Sequence, residues 1–108
     1  MNYKIYHSAR FERELSKFDF NFCEQVRKIE KQLAENPCVG NSLNVKWFRE
    51  KRIGVFRIYY LIYEDLKSVF MVAISGKKDQ QKIINTIKLI LALLREEIEN
   101  LFKQDDFT

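Results

Sequence analysis

Basic side chains are the residues of this sequence best suited to chemistry. Residues 40–78 hold eight Lys and Arg residues and three acids, a net charge of +5, while the whole chain carries +4. A patch of one sign attracts polyanions, above all nucleic acid. A solvated hairpin rim would produce the same pattern, so charge alone leaves both interpretations open. The cations singled out are Lys46, Arg49, Lys51, Arg52, Arg57, Lys77 and Lys78.

Other catalytic groups are scarce. His7 is the single histidine, and Cys23 and Cys38 are not spaced as metal ligands. We expect His7 at the end of a strand, the cysteines as small buried side chains, and neither a metal nor another cofactor.

RNA cleavage needs neither histidine nor metal, because the 2′-OH of the substrate is itself the nucleophile. The protein has to position that hydroxyl, accept its proton and neutralise the charge that builds on the phosphate. Arg52 and Arg57 would hold the phosphate, and Lys51, Lys77 or Lys78 would act as the base. Taken one by one, the lysines are better explained as solvated surface charges.

Arg57 is the strongest candidate because it interrupts an apolar strand. Side chains alternate along a strand, so Arg57 and Tyr59 share one face, which we expect to be partly exposed. Arg57 is either functional or the ion-pair partner of Glu50 on the neighbouring strand. Tyr59 would stack on a base or donate a proton. We expect the other aromatic side chains, Trp47 included, in the core.

The spacing of apolar residues predicts one α+β domain over residues 1–108. An N-terminal strand precedes a helical hairpin that ends at Asn36-Pro37, and a three-stranded antiparallel meander then forms one small twisted sheet. A long C-terminal helix follows. The predicted ranges are a strand over 2–7, helices over 9–18 and 19–36, strands over 45–51, 55–63 and 69–75, and a helix over 79–103.

The apolar stripe of this last helix is wider than one face. Leu89 and Leu93 lie off the main stripe, so we expect them to contact a partner, either a second copy of the chain or another protein. No apolar run approaches the roughly 20 residues that cross a bilayer, and no secretory leader opens the chain. We therefore expect a cytoplasmic protein that does not enter membranes.

The order of elements, with Arg52-Ile53-Gly54-Val55-Phe56-Arg57-Ile58-Tyr59-Tyr60 at its centre, resembles the RelE/ParE superfamily of toxins. The Asn36-Pro37 helix stop and Ile74-Ser75-Gly76-Lys77-Lys78 fall where that superfamily has similar elements. Arg52, Arg57 and Lys78 match its basic positions. Glu50 departs from the pattern where RelE-like nucleases tend to have a basic residue, and Ile84 departs where some have a functional Tyr.

The resemblance implies a toxin that a cognate antitoxin neutralises. The RelE-like branch implies a ribosome-dependent mRNA endoribonuclease, with mRNA and the ribosome as partners. The ParE-like branch implies inhibition of DNA gyrase without catalysis. A degenerate member that binds only an antitoxin or itself is the third alternative. The catalytic candidates are Arg57, Arg52, Lys51, Lys78 and Tyr59, with Lys46, Arg49 and Lys77 as candidates for nucleic-acid binding.

Overall fold

The computed structural model describes residues 2–106 and confirms the predicted α+β class. None of the helices in this range is long and apolar enough to span a membrane. The helices and strands are β1 (Lys4–His7), α1 (Ala9–Leu15), α2 (Phe20–Glu35), β2 (Asn41–Ser42), β3 (Phe48–Ile53), β4 (Phe56–Tyr63), β5 (Ser68–Gly76), α3 (Gln80–Leu89) and α4 (Leu91–Asp106).

The strands form one sheet in the order β1-β5-β4-β3-β2. The predicted meander of β3, β4 and β5 is antiparallel, and β1 joins β5 in parallel. Gly54 takes a φ of 58° at the first position of the β3–β4 turn, where glycine avoids the strain that a side chain would impose. The short edge strand β2 was not predicted, because two polar residues carry no periodicity.

Helices cover both faces of the sheet. The N-terminal hairpin, α1 and α2, packs on one face, and the C-terminal helices, α3 and α4, pack on the other. Ser8 and Asp19 cap the two hairpin helices, since their side chains accept hydrogen bonds from the backbone N–H groups of Phe11 and Phe22. Pro37 ends α2 as predicted.

Some predicted boundaries are wrong. Helix α1 ends at Leu15 rather than at residue 18. Strand β3 begins at Phe48 rather than at Val45, because Asn44 takes a φ of 72° and the Phe48 N–H bonds back to the Val45 carbonyl in a turn.

The long C-terminal helical segment is present, but it is divided between α3 and α4. Ile90 separates them with a φ of −109° and a ψ of 22°. The last bonds of α3 end at Ile90, whose N–H reaches the Thr86 and Ile87 carbonyls, and the Leu94 N–H then donates to the Ile90 carbonyl in the first turn of α4. Neither Pro nor Gly marks this break, so the apolar spacing predicted one continuous helix.

The expectation that one face of β4 is partly exposed is wrong. The even-numbered side chains Ile58, Tyr60 and Ile62 lie in the hairpin core as predicted, but Tyr59 and Leu61 lie in a second core beneath the C-terminal helices. The cause is the amphipathic α3–α4 segment, which packs its apolar stripe onto this face. Strand β4 is therefore buried on both sides.

Candidate functional site

The predicted basic residues converge where the β3–β4 turn meets the end of β5. Register places Arg52 directly opposite Arg57, and Arg57 opposite Ser75. Gly76 closes β5 opposite Phe56, and Lys77 and Lys78 follow it in a single 3₁₀ turn. We call this region the basic end of the sheet: Arg52, Arg57, Lys77 and Lys78.

Arg57 is buried, with 6% of its surface exposed, and this corrects the exposed position expected from the sequence. Its Nε lies 3.7 Å from Oε1 of Glu50, so the predicted structural partner is in place. Among the described residues, Arg57 Nε is also a buried nitrogen without a hydrogen-bond partner. The pair is thus close enough for charge attraction, while the Nε–H group is left unsatisfied.

Glu50 links the sheet to the C-terminal helices. Its carboxylate is buried, and Oε1 accepts a hydrogen bond of 2.9 Å from Nε2 of Gln80, the first residue of α3. Two neighbours, one charged and one polar, therefore stabilise the ionised carboxylate inside the protein. Sequence reasoning missed Gln80, because an amide at the start of a helix looks like an ordinary surface residue.

Tyr59 is fully buried, which corrects the prediction that it is available for stacking on a base. Its hydroxyl shares a 2.9 Å hydrogen bond with Oγ of Ser75. Burial raises the pKa of Tyr59, and the Ser75 hydrogen bond opposes that shift only in part. The phenol therefore stays protonated at neutral pH and anchors β4 to β5.

The surface-exposed cations at this end are Arg52, Lys77 and Lys78. Lys51 is half-buried, and alternation along β3 places it on the opposite face of the sheet from Arg52 and Arg57. Among the described residues, one carboxylate, that of Glu50, lies within ion-pair distance of Arg57. Two like charges directly opposite each other in a sheet, as Arg52 and Arg57 are, repel each other. The Arg52–Arg57 pair therefore leaves positive charge that an external anion would neutralise.

Arg49 is engaged by the chain itself. Its guanidinium donates to the backbone carbonyls of Gly40, Lys46 and Cys38 at 3.0, 3.1 and 3.0 Å. Arg49 thereby fixes the loop before β3, and its predicted contact with nucleic acid stays a prediction. Lys46 is exposed beside Trp47, whose 43% exposure contradicts the expectation of a core position.

Comparison by sequence identifies no relative: no protein-family model and no curated protein matches this chain. Solved structures do match. The free state of a mutant E. coli RelE toxin aligns with a TM-score of 0.68 and 18% identity, covering 79% of this chain and 93% of that one. The chain has the RelE fold.

Toxin–antitoxin complexes show the same likeness. RelE bound to a RelB antitoxin peptide aligns with a TM-score of 0.65 and 16% identity, covering 77% of this chain and 95% of that one. The RelBE2 complex from Mycobacterium tuberculosis gives 0.62 and 20% identity, covering 71% and 100%. These matches confirm the superfamily resemblance at the level of the fold.

The RelE fold of this chain also forms a cleft next to the basic end, with a volume of about 380 Å³. Ser75, Gly76 and Asp79 line it on one side. Three cations complete the lining: Arg10, Lys17 and Lys82. Sequence reasoning missed Arg10 and Lys17 because they lie far from β5 along the chain, and it missed Lys82 because one lysine near the start of a helix looks like an ordinary surface charge.

The charge of this cleft is partly compensated. Glu14 pairs with Arg10 and accepts the Ile74 N–H where β5 extends past the end of β1, and Lys17, Lys82 and Asp79 are the other charged residues of the lining. No three His, Cys, Asp or Glu side chains between residues 2 and 106 are grouped to hold a metal ion.

Proposed function

We propose that this chain is the toxin of a type II toxin–antitoxin pair and that it cleaves mRNA on the ribosome without a metal. The observation that carries the proposal is the opposed Arg52–Arg57 pair at the basic end, flanked by Lys77 and Lys78, in a chain with the RelE fold. Such a cluster is suited to a phosphate, because arginine stays charged and donates in a planar fork.

Cleavage would proceed by attack of the substrate's own hydroxyl. The 2′-oxygen bonds to phosphorus, the bond from phosphorus to the 5′-oxygen breaks, and the departing oxygen takes a proton from solvent. Lys78 in its neutral amine form accepts the proton of the 2′-OH, while Arg52 and Lys77 neutralise the charge on the phosphate. Arg57 supplies positive charge from below the surface.

The partners follow from the same proposal. A small acidic antitoxin would bind this chain, as the RelB peptide and the RelBE complexes of the structural neighbours support. Because the proposed substrate, mRNA on the ribosome, is in the cytoplasm, we expect the protein to act there. No cofactor takes part.

Induction of the chain alone in a bacterium tests this function. Growth should stop, and primer extension on a translated transcript should reveal new 5′ ends within codons. Arg52→Glu combined with Lys78→Glu should remove both effects, because a phosphate contact and the proton acceptor are both lost. Lys28→Glu combined with Lys31→Glu changes the charge equally on exposed positions of α2 and should leave them intact.

A second function, inhibition of DNA gyrase without RNA cleavage, is favoured by two observations. Arg57 lies next to the carboxylate of Glu50, which reduces the charge it offers to a phosphate, and Tyr59 is buried away from any substrate. Intact transcripts together with inhibited supercoiling would assign this function instead. Growth arrest without either change would exclude both functions. Normal growth would favour the third alternative, a chain that has no toxic activity and binds only an antitoxin or itself.

A further inference from the structure

An apolar stripe runs along the outer side of the C-terminal helices. Leu89 is 86% exposed and Leu93 is 64% exposed, and Ala92 between them is exposed as well. The inner side of the same helices already contacts the sheet through Leu94 and Ile98. The fold of one chain therefore cannot cover this stripe.

The exposed positions keep a helical spacing on both sides of the α3–α4 junction. Lys88 and Leu89 before it, and Ala92, Leu93 and Glu96 after it, are all exposed. Residues three and four apart share a helix face, so Lys88, Ala92 and Glu96 follow one another along the outer surface with the leucines beside them. The small alanine lies midway between the two charges.

The charges on this stripe complement each other only between two molecules. Lys88 and Glu96 are eight residues apart, about 12 Å along a helix, which is too far for an ion pair within one chain. When two copies of the stripe cross in antiparallel orientation at Ala92, Lys88 of each copy meets Glu96 of the other. A two-fold interface of this kind is self-complementary by construction.

We propose that a second copy of this chain occupies the stripe, forming an antiparallel two-fold dimer centred on Ala92. Ala92 lets the helices approach closely, Leu89 and Leu93 of each copy become buried, and two Lys88–Glu96 pairs flank the contact. The interface is small, so the dimer should be weak. This proposal is independent of the proposed function, because none of the residues of the stripe belongs to the basic end.

Sedimentation of the purified chain from about 1 µM to about 1 mM tests the dimer, since small interfaces dissociate in this range. The sedimentation coefficient should rise with concentration, and Leu93→Asp should abolish that rise. Lys88→Glu alone and Glu96→Lys alone should each weaken association by at least about tenfold, because each creates two like-charge contacts.

An equimolar mixture of the two charge variants should restore association, because both ion pairs then form in the mixed dimer, one in the original polarity and one reversed. Lys28→Glu, an equal charge change on exposed α2, should have no effect. A chain that stays monomeric throughout the range would overturn the proposal. So would a mixture that associates no better than either variant alone. If a co-expressed antitoxin needs Leu93 while the chain stays monomeric, the stripe binds the antitoxin instead.

Discussion

The two faces of the sheet bury different chemistry. Beneath the N-terminal hairpin the core is apolar and aromatic, and its buried tyrosine, Tyr60, satisfies its hydroxyl on the Pro37 carbonyl and the Gly40 N–H. Beneath the C-terminal helices the sheet buries Glu50, Arg57, Tyr59 and Ser75. Polar groups are thus concentrated on the face that borders the basic end.

This difference indicates that the buried ion pair of one face is not needed for stability. Replacing a buried ion pair by apolar side chains of similar volume is often neutral or stabilising, so the Glu50–Arg57 pair is not explained by stability. On the hairpin side, the ion pairs that His7 and Arg10 make with glutamates stay partly exposed. The Glu50–Arg57 pair differs because both side chains are buried, next to the exposed cations of the basic end.

Removal of Glu50 should have the largest effect. Glu50→Ala leaves Arg57 charged and buried, so unfolding in urea should show a loss of about 3–5 kcal/mol. Glu50→Leu combined with Arg57→Met should recover most of that loss, because no charge is then buried. Glu35→Ala, on an exposed carboxylate, should cost less than about 0.5 kcal/mol. A loss as small as this for Glu50→Ala would mean that Arg57 reaches water.

Gly40 tests the tightness of the hairpin face. A Cβ on Gly40 would come within 2.4 Å of the Glu50 carbonyl and 2.6 Å of the Tyr60 hydroxyl, and the first of these is backbone. Gly40→Ala should therefore destabilise the chain by about 1–3 kcal/mol in the same urea experiment. Gly76→Ala is the matched control, since nothing lies within 4 Å of its Cβ. Equal stability of the two variants would contradict this packing.

The helix caps differ between the two layers. Asp19 accepts the Phe22 N–H at the start of α2, whereas Asp79 makes no capping hydrogen bond with its side chain at the start of α3. Asp19→Ala should cost about 1 kcal/mol, and Asp79→Ala should cost clearly less. Thermal unfolding of the two variants measures the difference. A larger loss for Asp79→Ala than for Asp19→Ala would show that α3, and not α2, depends on its cap.

His7 should make the hairpin layer sensitive to pH. Burial lowers the pKa of His7, but its hydrogen bonds to Glu30 and Glu12 outweigh that effect and raise the pKa above its ordinary value of 6.5. The protonated imidazole therefore stabilises the fold fully below about pH 6.5, and this contribution is lost as the pH rises through the raised pKa.

Unfolding measured from about pH 5 to about pH 9 should show this small decline, and His7→Gln should remove it. Parallel curves for the two proteins would mean that the two carboxylates do not hold the imidazole. Because His7 joins β1 to α1 and α2, the effect belongs to the hairpin side of the sheet alone.

The sequence by itself determined the local elements and their order. Amphipathic spacing predicted the hairpin, Asn36-Pro37 predicted its end, and strand alternation placed Ile58 and Tyr60 in the core. These features depend on neighbours within a few residues, which is why a pattern reveals them. Glu50 was predicted as the structural alternative for Arg57 because it is the acid on the neighbouring strand, and the register places it opposite Tyr59, diagonally across from Arg57.

The tertiary structure alone decided what covers each face. Arg57 and Tyr59 are buried because α3 and α4 fold back onto the odd-numbered face of β4, a contact between segments that no local spacing encodes. A bulge in β5 likewise turns both Val72 and Ala73 towards that side, because Tyr59 pairs with Ala73 while Tyr60 pairs with Met71. Burial is a property of two surfaces in contact, whereas the sequence pattern describes only one of them.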